Sequence, residues 1–170
     1  MTVGQFAEIA VMAILGMFIS RFGFRRTIAI GAFAYFARYL IWGLISLQEP
    51  SGPSVDVSGQ FIWTVPLVIG IFSQLLHGVC YACFFASAYM YVDKIADDDI
   101  RNSAQTVFGI IILGLGPMLA APLLGFLANV YGDAGVVTDF AGMWLSLAAI
   151  AFITTAVFFV AFTEEAESSI

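Results

Sequence analysis

Residues 140–162 read FAGMWLSLAAIAFITTAVFFVAF, a run without a single charged side chain. About 18 or more such residues suffice to cross the hydrocarbon of a bilayer as one helix. A helix is the structure to expect, because open sheets and lipid-exposed loops would leave backbone N–H and C=O groups unpaired there. Working back along the chain, four more apolar stretches have the same character: Val3 to Ser20, Thr27 to Leu47, Phe61 to Val92 and Ser103 to Val130. The fold expected is therefore an all-α integral membrane protein with five transmembrane helices, the last over Phe140 to Phe162. The third stretch is too short to cross twice at about 20 residues per crossing and reads as one long or tilted helix. In the fourth, Gly114-Leu115-Gly116-Pro117 predicts a kink, since proline removes a backbone donor.

Composition excludes a soluble domain. The 170 residues are 61% hydrophobic and 11% charged, with a mean hydropathy of +0.98, whereas a soluble domain is about one quarter charged. The net charge of −6 comes from acidic loops, which argues against a nucleic-acid partner. Loops are expected at Gln48 to Gln60, rich in Pro, Ser, Gly and acid, at Asp93 to Asn102 and at Gly132 to Asp139, with an acidic tail from Thr163 to Ile170. Cys80 and Cys83 match a C-x-x-C spacing but lie inside an apolar run, where small-residue packing is the expected role. No metal-ligand, nucleophile-base or phosphate-loop spacing is present, so neither an enzyme nor a cofactor is expected.

Orientation follows from Lys and Arg, which favour cytoplasmic loops. Arg21, Arg25, Arg26, Lys94 and Arg101 all fall in the first and third loops, and the second and fourth carry none. This predicts a multi-pass cell-membrane protein with its N-terminus outside and its C-terminus cytoplasmic. The start Met1-Thr2-Val3-Gly4-Gln5 lacks the basic region of a cleavable signal. Five spans with an external N-terminus lead to the expectation of a preceding N-terminal portion.

Ionisable side chains at bilayer depth cost about 3 kcal/mol or more and mark function or pairing. Glu8 and Arg38 are the two clear cases. At 1.5 Å per residue, Glu8 lies about 18 Å from Ser20 and Arg38 about 17 Å from Thr27, which puts both near mid-membrane. Two readings are open: a functional pair of groups, or a Glu-Arg pair or snorkelling side chains with a structural role. Gln5 shares the Glu8 face, and Tyr35, Arg38, Tyr39 and Trp42 share another. The third helix carries Ser73, Gln74, His77, Cys80, Tyr81, Phe84 and Tyr91 on one broad face, with Tyr81 at about the same depth. Such a stripe suits stacking on and hydrogen-bonding to a planar polar solute, and equally suits helix packing through interhelical hydrogen bonds. Gly78, Gly114, Gly116 and Gly125 are expected to permit close helix contact.

The first loop, Gly16-Met17-Phe18-Ile19-Ser20-Arg21-Phe22-Gly23-Phe24-Arg25-Arg26, resembles the loop signature of the major facilitator superfamily, a glycine followed by D-R-x-G-R-[RK]. Ser20 stands where the aspartate is usual. The resemblance implies helices eight to twelve of a twelve-helix carrier, most of its six-helix C-terminal bundle. More narrowly, Gly4-Gln5-Phe6-Ala7-Glu8, Arg38, Tyr91-Val92-Asp93-Lys94 and Arg101-Asn102-Ser103-Ala104-Gln105 resemble the nucleoside:proton symporters. That resemblance implies a secondary active transporter taking up nucleosides or a similar small polar solute with protons, by alternating access between this bundle and a partner N-terminal half. It implies solute contacts from Gln5, Glu8, Arg38, His77 and Tyr81, proton coupling through Glu8, and a cytoplasmic gate of Arg21, Arg25, Arg26, Asp93 and Arg101. The resemblance also implies an acidic residue at the position where this chain has Ala82. The competing expectation is a non-transporting five-helix scaffold or interaction subunit.

Overall fold

Helix formation follows the apolar runs closely. The structure, a computed structural model, describes residues 2–48, 64–133 and 136–163. The Gln48 to Gln60 loop after its first residue, the start of the third apolar stretch at 61–63 and the acidic tail after Thr163 lie outside the described residues. Helix α1 spans Thr2–Gln48, α2 spans Val65–Ile95, α3 spans Arg101–Val130 and α4 spans Phe140–Ala161. All four are long and apolar enough to cross a membrane. Strands β1 (Gly132–Asp133) and β2 (Val136–Val137) pair antiparallel, Gly132 opposite Val137, in the turn between α3 and α4.

The 47 residues of α1 are broken at Gly23, where φ is 76° and ψ is 169°. An unbroken helix of that length would extend about 70 Å, more than twice the hydrocarbon thickness. The conformation at Gly23 is one that essentially only glycine adopts, because a Cβ would clash with the neighbouring backbone. It divides α1 into arms 2–22 and 24–48. Thr27, fully buried, donates its hydroxyl to the Gly23 carbonyl at 2.8 Å and so satisfies an acceptor at the break. Gly23→Ala is expected to destabilise the protein by about 1–3 kcal/mol. An unchanged midpoint of thermal unfolding in detergent would show that the break does not need a glycine.

The other termini are set by ordinary capping. The Thr64 hydroxyl accepts from the Leu67 amide at 3.3 Å, with Pro66 in the first turn of α2 where its missing N–H costs nothing. The Asp139 carboxylate accepts from the Gly142 amide at 2.9 Å and starts α4. Helix α2 then runs to Ile95, three residues past the expected Val92.

Two wide turns with i→i+5 hydrogen bonding interrupt the regular helices, at Tyr81–Ala86 in α2 and Ile111–Leu115 in α3. The second immediately precedes Gly116-Pro117, so the disruption expected from the proline is expressed as a wide turn just before it.

The core lies where both arms of α1 meet α2 and α4. Leu15, Ile28, Ala32, Ala34, Cys80, Ala82, Cys83 and Ala148 are buried there. Both cysteines are free thiols packed as small apolar groups. Helix α3 stands apart, and none of its most apolar stretch is buried. Its side-chain contacts gather at its start, where Phe108 meets Tyr89 at 5.0 Å. Among the described residues nothing lies within 4 Å of a Cβ placed at Gly114 or Gly125, and Gly116 has only the Ile111 carbonyl of its own helix at that range, so these three make none of the expected close contacts there. Gly78 does, and is joined by Gly31, Gly43 and Gly70.

Candidate functional site

The centre of α2 is held by both arms of α1, and glycines permit the approach. A Cβ added at Gly78 would collide with the backbone of Ala7 and Glu8, and one added at Gly31 would collide with Cys83 and Phe84. A Cβ at Gly4 would come within 3.2 Å of the His77 ring and 3.3 Å of the Gln74 carbonyl. Residues 4–8 of the first arm therefore lie along residues 74–78 of α2. Close backbone contact of this kind fixes helix position more firmly than interleaved long side chains, which can shift rotamer.

Arg38, on the second arm, reaches the same place. Its Nη1 lies 3.2 Å from His77 Nδ1. Arginine has only donors, so Nδ1 accepts, and the proton of this imidazole is on Nε2. Arg38 Nε is buried and makes no hydrogen bond among the described residues. An unsatisfied charged donor in the interior is costly, and marks a place where an acceptor would be bound favourably. The sequence reading set Tyr81 at the level of Arg38, whereas the hydrogen-bonded neighbour of Arg38 in the structure is His77, one turn before Tyr81 on α2.

Glu8 is half-buried and Gln5 is exposed, one helical turn apart on the first arm. No ion pair joins Glu8 to Arg38 among the described residues, so the structural reading of the two as a salt bridge does not apply in this conformation. Tyr81, one turn beyond His77 on α2, is 41% exposed, with its ring 5.6 Å from that of Phe85. The structure thus brings Glu8, His77 and Arg38 to one level through named contacts, with Gln5 and Tyr81 one turn away along their helices.

An aromatic series continues from this level into α4. Phe84 meets Tyr35 edge-on at 6.2 Å, Tyr35 meets Tyr39 at 6.1 Å, and Tyr39 stacks on Trp144 at 5.9 Å. Trp42 closes the series, 6.3 Å from Trp144. A cavity of about 260 Å³ opens beside it, with Tyr35, Tyr39, Phe84 and Thr154 in its wall. The sequence had marked the α1 and α2 aromatics but not Trp144, which sits in a helix with no charged neighbour to draw notice. A larger opening of about 700 Å³ separates the two wide turns, between Phe84 and Phe85 of α2 and Ile111, Leu115 and Pro117 of α3.

The five residues expected at the gate gather at the other end of the bundle, but not in one cluster. Arg25 crosses to α4, donating to the Phe159 carbonyl and lying 4.7 Å over the Phe159 ring. Arg21 lies 5.8 Å over the Phe22 ring. Asp93 accepts from Gln105 at 2.8 Å and lies 3.8 Å from Arg101, which pairs with Asp98 at 2.6 Å. Phe24 contacts Tyr91 at 5.4 Å, and Tyr91 contacts Phe162 at 5.1 Å. The break in α1, the end of α2 and the end of α4 therefore meet at one end of the molecule.

Comparison with known proteins gives this arrangement a context. The chain is 32% identical to the putative nucleoside transporter YegT of Escherichia coli over an alignment of 177 positions, covering all of this chain and 38% of that protein. It is 25% identical to the xanthosine permease of the same bacterium, covering 95% of this chain and 35% of that one. A crystal structure of the nucleoside transporter NupG superimposes with a TM-score of 0.74 at 21% identity, covering 96% of this chain and 36% of that one. The chain thus spans little more than a third of the length of the curated relatives it matches. These relatives are transporters, and with the four apolar helices they make this a multi-pass membrane protein. The family profile described as the nucleoside H+ symporter matches residues 1–167. Nearly every residue falls within that match, and the chain belongs to the nucleoside H+ symporter family.

Proposed function

We propose that this chain forms most of the C-terminal bundle of a carrier that takes up nucleosides with protons by alternating access. In this reading each arm of α1 crosses the bilayer, so the spans number five and correspond to helices eight to twelve of the major facilitator fold. The N-terminal end faces outside, the basic end faces the cytoplasm, and a partner N-terminal half completes the central cavity. Family membership and the permease relatives support nucleoside as the solute. The single observation that carries the site is the half-buried Arg38 guanidinium, bonded to His77 at 3.2 Å with its buried Nε left open, at the level of the half-buried Glu8.

Each residue has a distinct role. Arg38 offers a fixed donor to a ribose or base oxygen, and His77 is held in one tautomer by Arg38 so that its Nε2–H also donates. Gln5 provides both donor and acceptor, which matches the mixed edge of a base. Tyr81 offers a ring face and a hydroxyl. Glu8 is the carboxylate whose protonation state changes between the two faces of the membrane. Arg21, Arg25, Arg26, Asp93 and Arg101 form the cytoplasmic gate, with Arg25 tying α1 to α4 and Arg101 tying α3 to Asp93. Ala82 is fully buried and carries no charge, so in this reading the charged step falls to Glu8.

The test is uptake of labelled nucleosides by the full-length protein in proteoliposomes. An acid-outside gradient is expected to accelerate uptake, and unlabelled nucleosides should compete. Uptake indifferent to both the gradient and competing nucleosides would refute the reading.

A further inference from the structure

A groove of about 540 Å³ runs between the second arm of α1 and α4, walled by Phe22, Ile30, Phe33, Phe152 and Phe159, with Arg26 as its one charged lining residue. Phe33 and Phe152 are each 51% exposed, and Phe159 is 47% exposed, so the apolar wall is open to whatever surrounds the bundle. Arg26 makes no hydrogen bond or ion pair with any described residue. Its neighbour Arg25 is engaged with Phe159 on α4, which holds the two helices together at this end, while Arg26 is exposed and lines the groove.

We propose that this groove binds one anionic phospholipid, with an acyl chain along Phe33 and Phe152 and the phosphate on the Arg26 guanidinium. The inference rests on the arms of α1 crossing the bilayer, and not on what solute is carried. Charge and shape both point to this occupant. The groove falls within the size range of sites for molecules of a few tens of atoms, about 300–1,000 Å³. Its long walls are apolar apart from Thr155, whose hydroxyl is turned back to donate to the Ala151 carbonyl at 2.7 Å, which suits a hydrocarbon chain. The single charged group stands near the Gly23 break, where a span must meet the headgroup layer, and a planar guanidinium matches a phosphate with two parallel hydrogen bonds. Arg21, close by in sequence at the same break, adds a second positive charge, which favours an anionic lipid over a zwitterionic one.

The experiment uses the full-length protein in nanodiscs of phosphatidylcholine containing a small fraction of phosphatidylglycerol with a photoreactive group on its acyl chain. Crosslinked peptides are mapped by mass spectrometry. Labelling is expected at the groove wall around Phe33 and Phe152. Arg26→Gln should reduce it about fivefold, the factor that one basic residue near an anionic lipid surface contributes, and Arg26→Lys should restore part of it. Ala156→Trp, which fills the groove without altering charge, should also remove the labelling. Equal labelling by a phosphatidylcholine probe, equal labelling of Arg26→Gln, or labelling only outside the groove because another segment occupies it, would each overturn the proposal. Because the readout is lipid contact rather than uptake, its failure is separable from a failure of the transport reading.

Discussion

With Glu8→Gln, proton-driven accumulation of nucleoside by the full-length carrier is expected to fall about a hundredfold or more, a loss of about 2.7 kcal/mol. Exchange of labelled for unlabelled nucleoside should persist. The amide keeps the size and hydrogen-bonding edge of the carboxylate but cannot gain or lose a proton in this range. A carboxylate kept half-buried in an apolar helix costs about 3 kcal/mol or more, so its retention there calls for a use. Its backbone is fixed on Gly78 of α2, which leaves the side chain little freedom to withdraw from the level of Arg38 and His77. Measurement of uptake with and without an imposed gradient separates coupling from binding. If the Gln variant still responds to the gradient as the parent does, Glu8 is not the coupling group.

The second large effect concerns the contact that places Glu8. Gly78→Val is expected to destabilise the bundle by about 3 kcal/mol, the upper end for overpacking a filled interior. Here the added atoms meet main chain at Ala7 and Glu8, not the end of a flexible side chain, so no rotamer change can relieve the clash. Gly31→Val should behave alike, because Cys83 and Phe84 stand equally close. Gly125→Ala provides the contrast. No described residue lies within 4 Å of its Cβ position, and a change within about 0.5 kcal/mol is expected. Midpoints of thermal unfolding in one detergent would rank the three, and a Gly78→Val midpoint equal to that of Gly125→Ala would refute the close approach.

What the sequence disclosed depended on how far the signal was local. The apolar run 140–162 became α4 over Phe140–Ala161 almost residue for residue, because hydropathy and helix length are properties of a continuous segment. The turn at Arg21 to Arg26 was legible from its charges, and the structure adds that a single residue, Gly23, makes the break. Close contacts were less legible. Glycine frequency drew attention to α3, yet among the described residues Gly114 and Gly125 face open space, whereas Gly31 and Gly43 hold α1 against α2 and α4. A small residue says that an approach is possible, and only the angular position of the partner decides whether one occurs. The wide turn at 111–115 was announced by Pro117, but the one at 81–86 left no mark in composition, since a shift from i→i+4 to i→i+5 bonding uses the same residue types. Arg38 and His77 were each visible as polar groups in apolar spans, but the bond between them depends on the packing of two helices 39 residues apart in sequence.

The wide turn at Tyr81–Ala86 also sets the phase of α2. An extra residue inserted into a helix rotates everything beyond it by about 100° around the axis, since one turn takes 3.6 residues. His77 lies before the insertion, and Tyr91 and Asp93 lie after it. The face that meets Arg38 and the face that meets Phe24 and Gln105 are thus brought into register by one additional residue. Excising a single residue between 81 and 86 would leave α2 a continuous α-helix of nearly the same length, but with its two ends about 100° out of alignment.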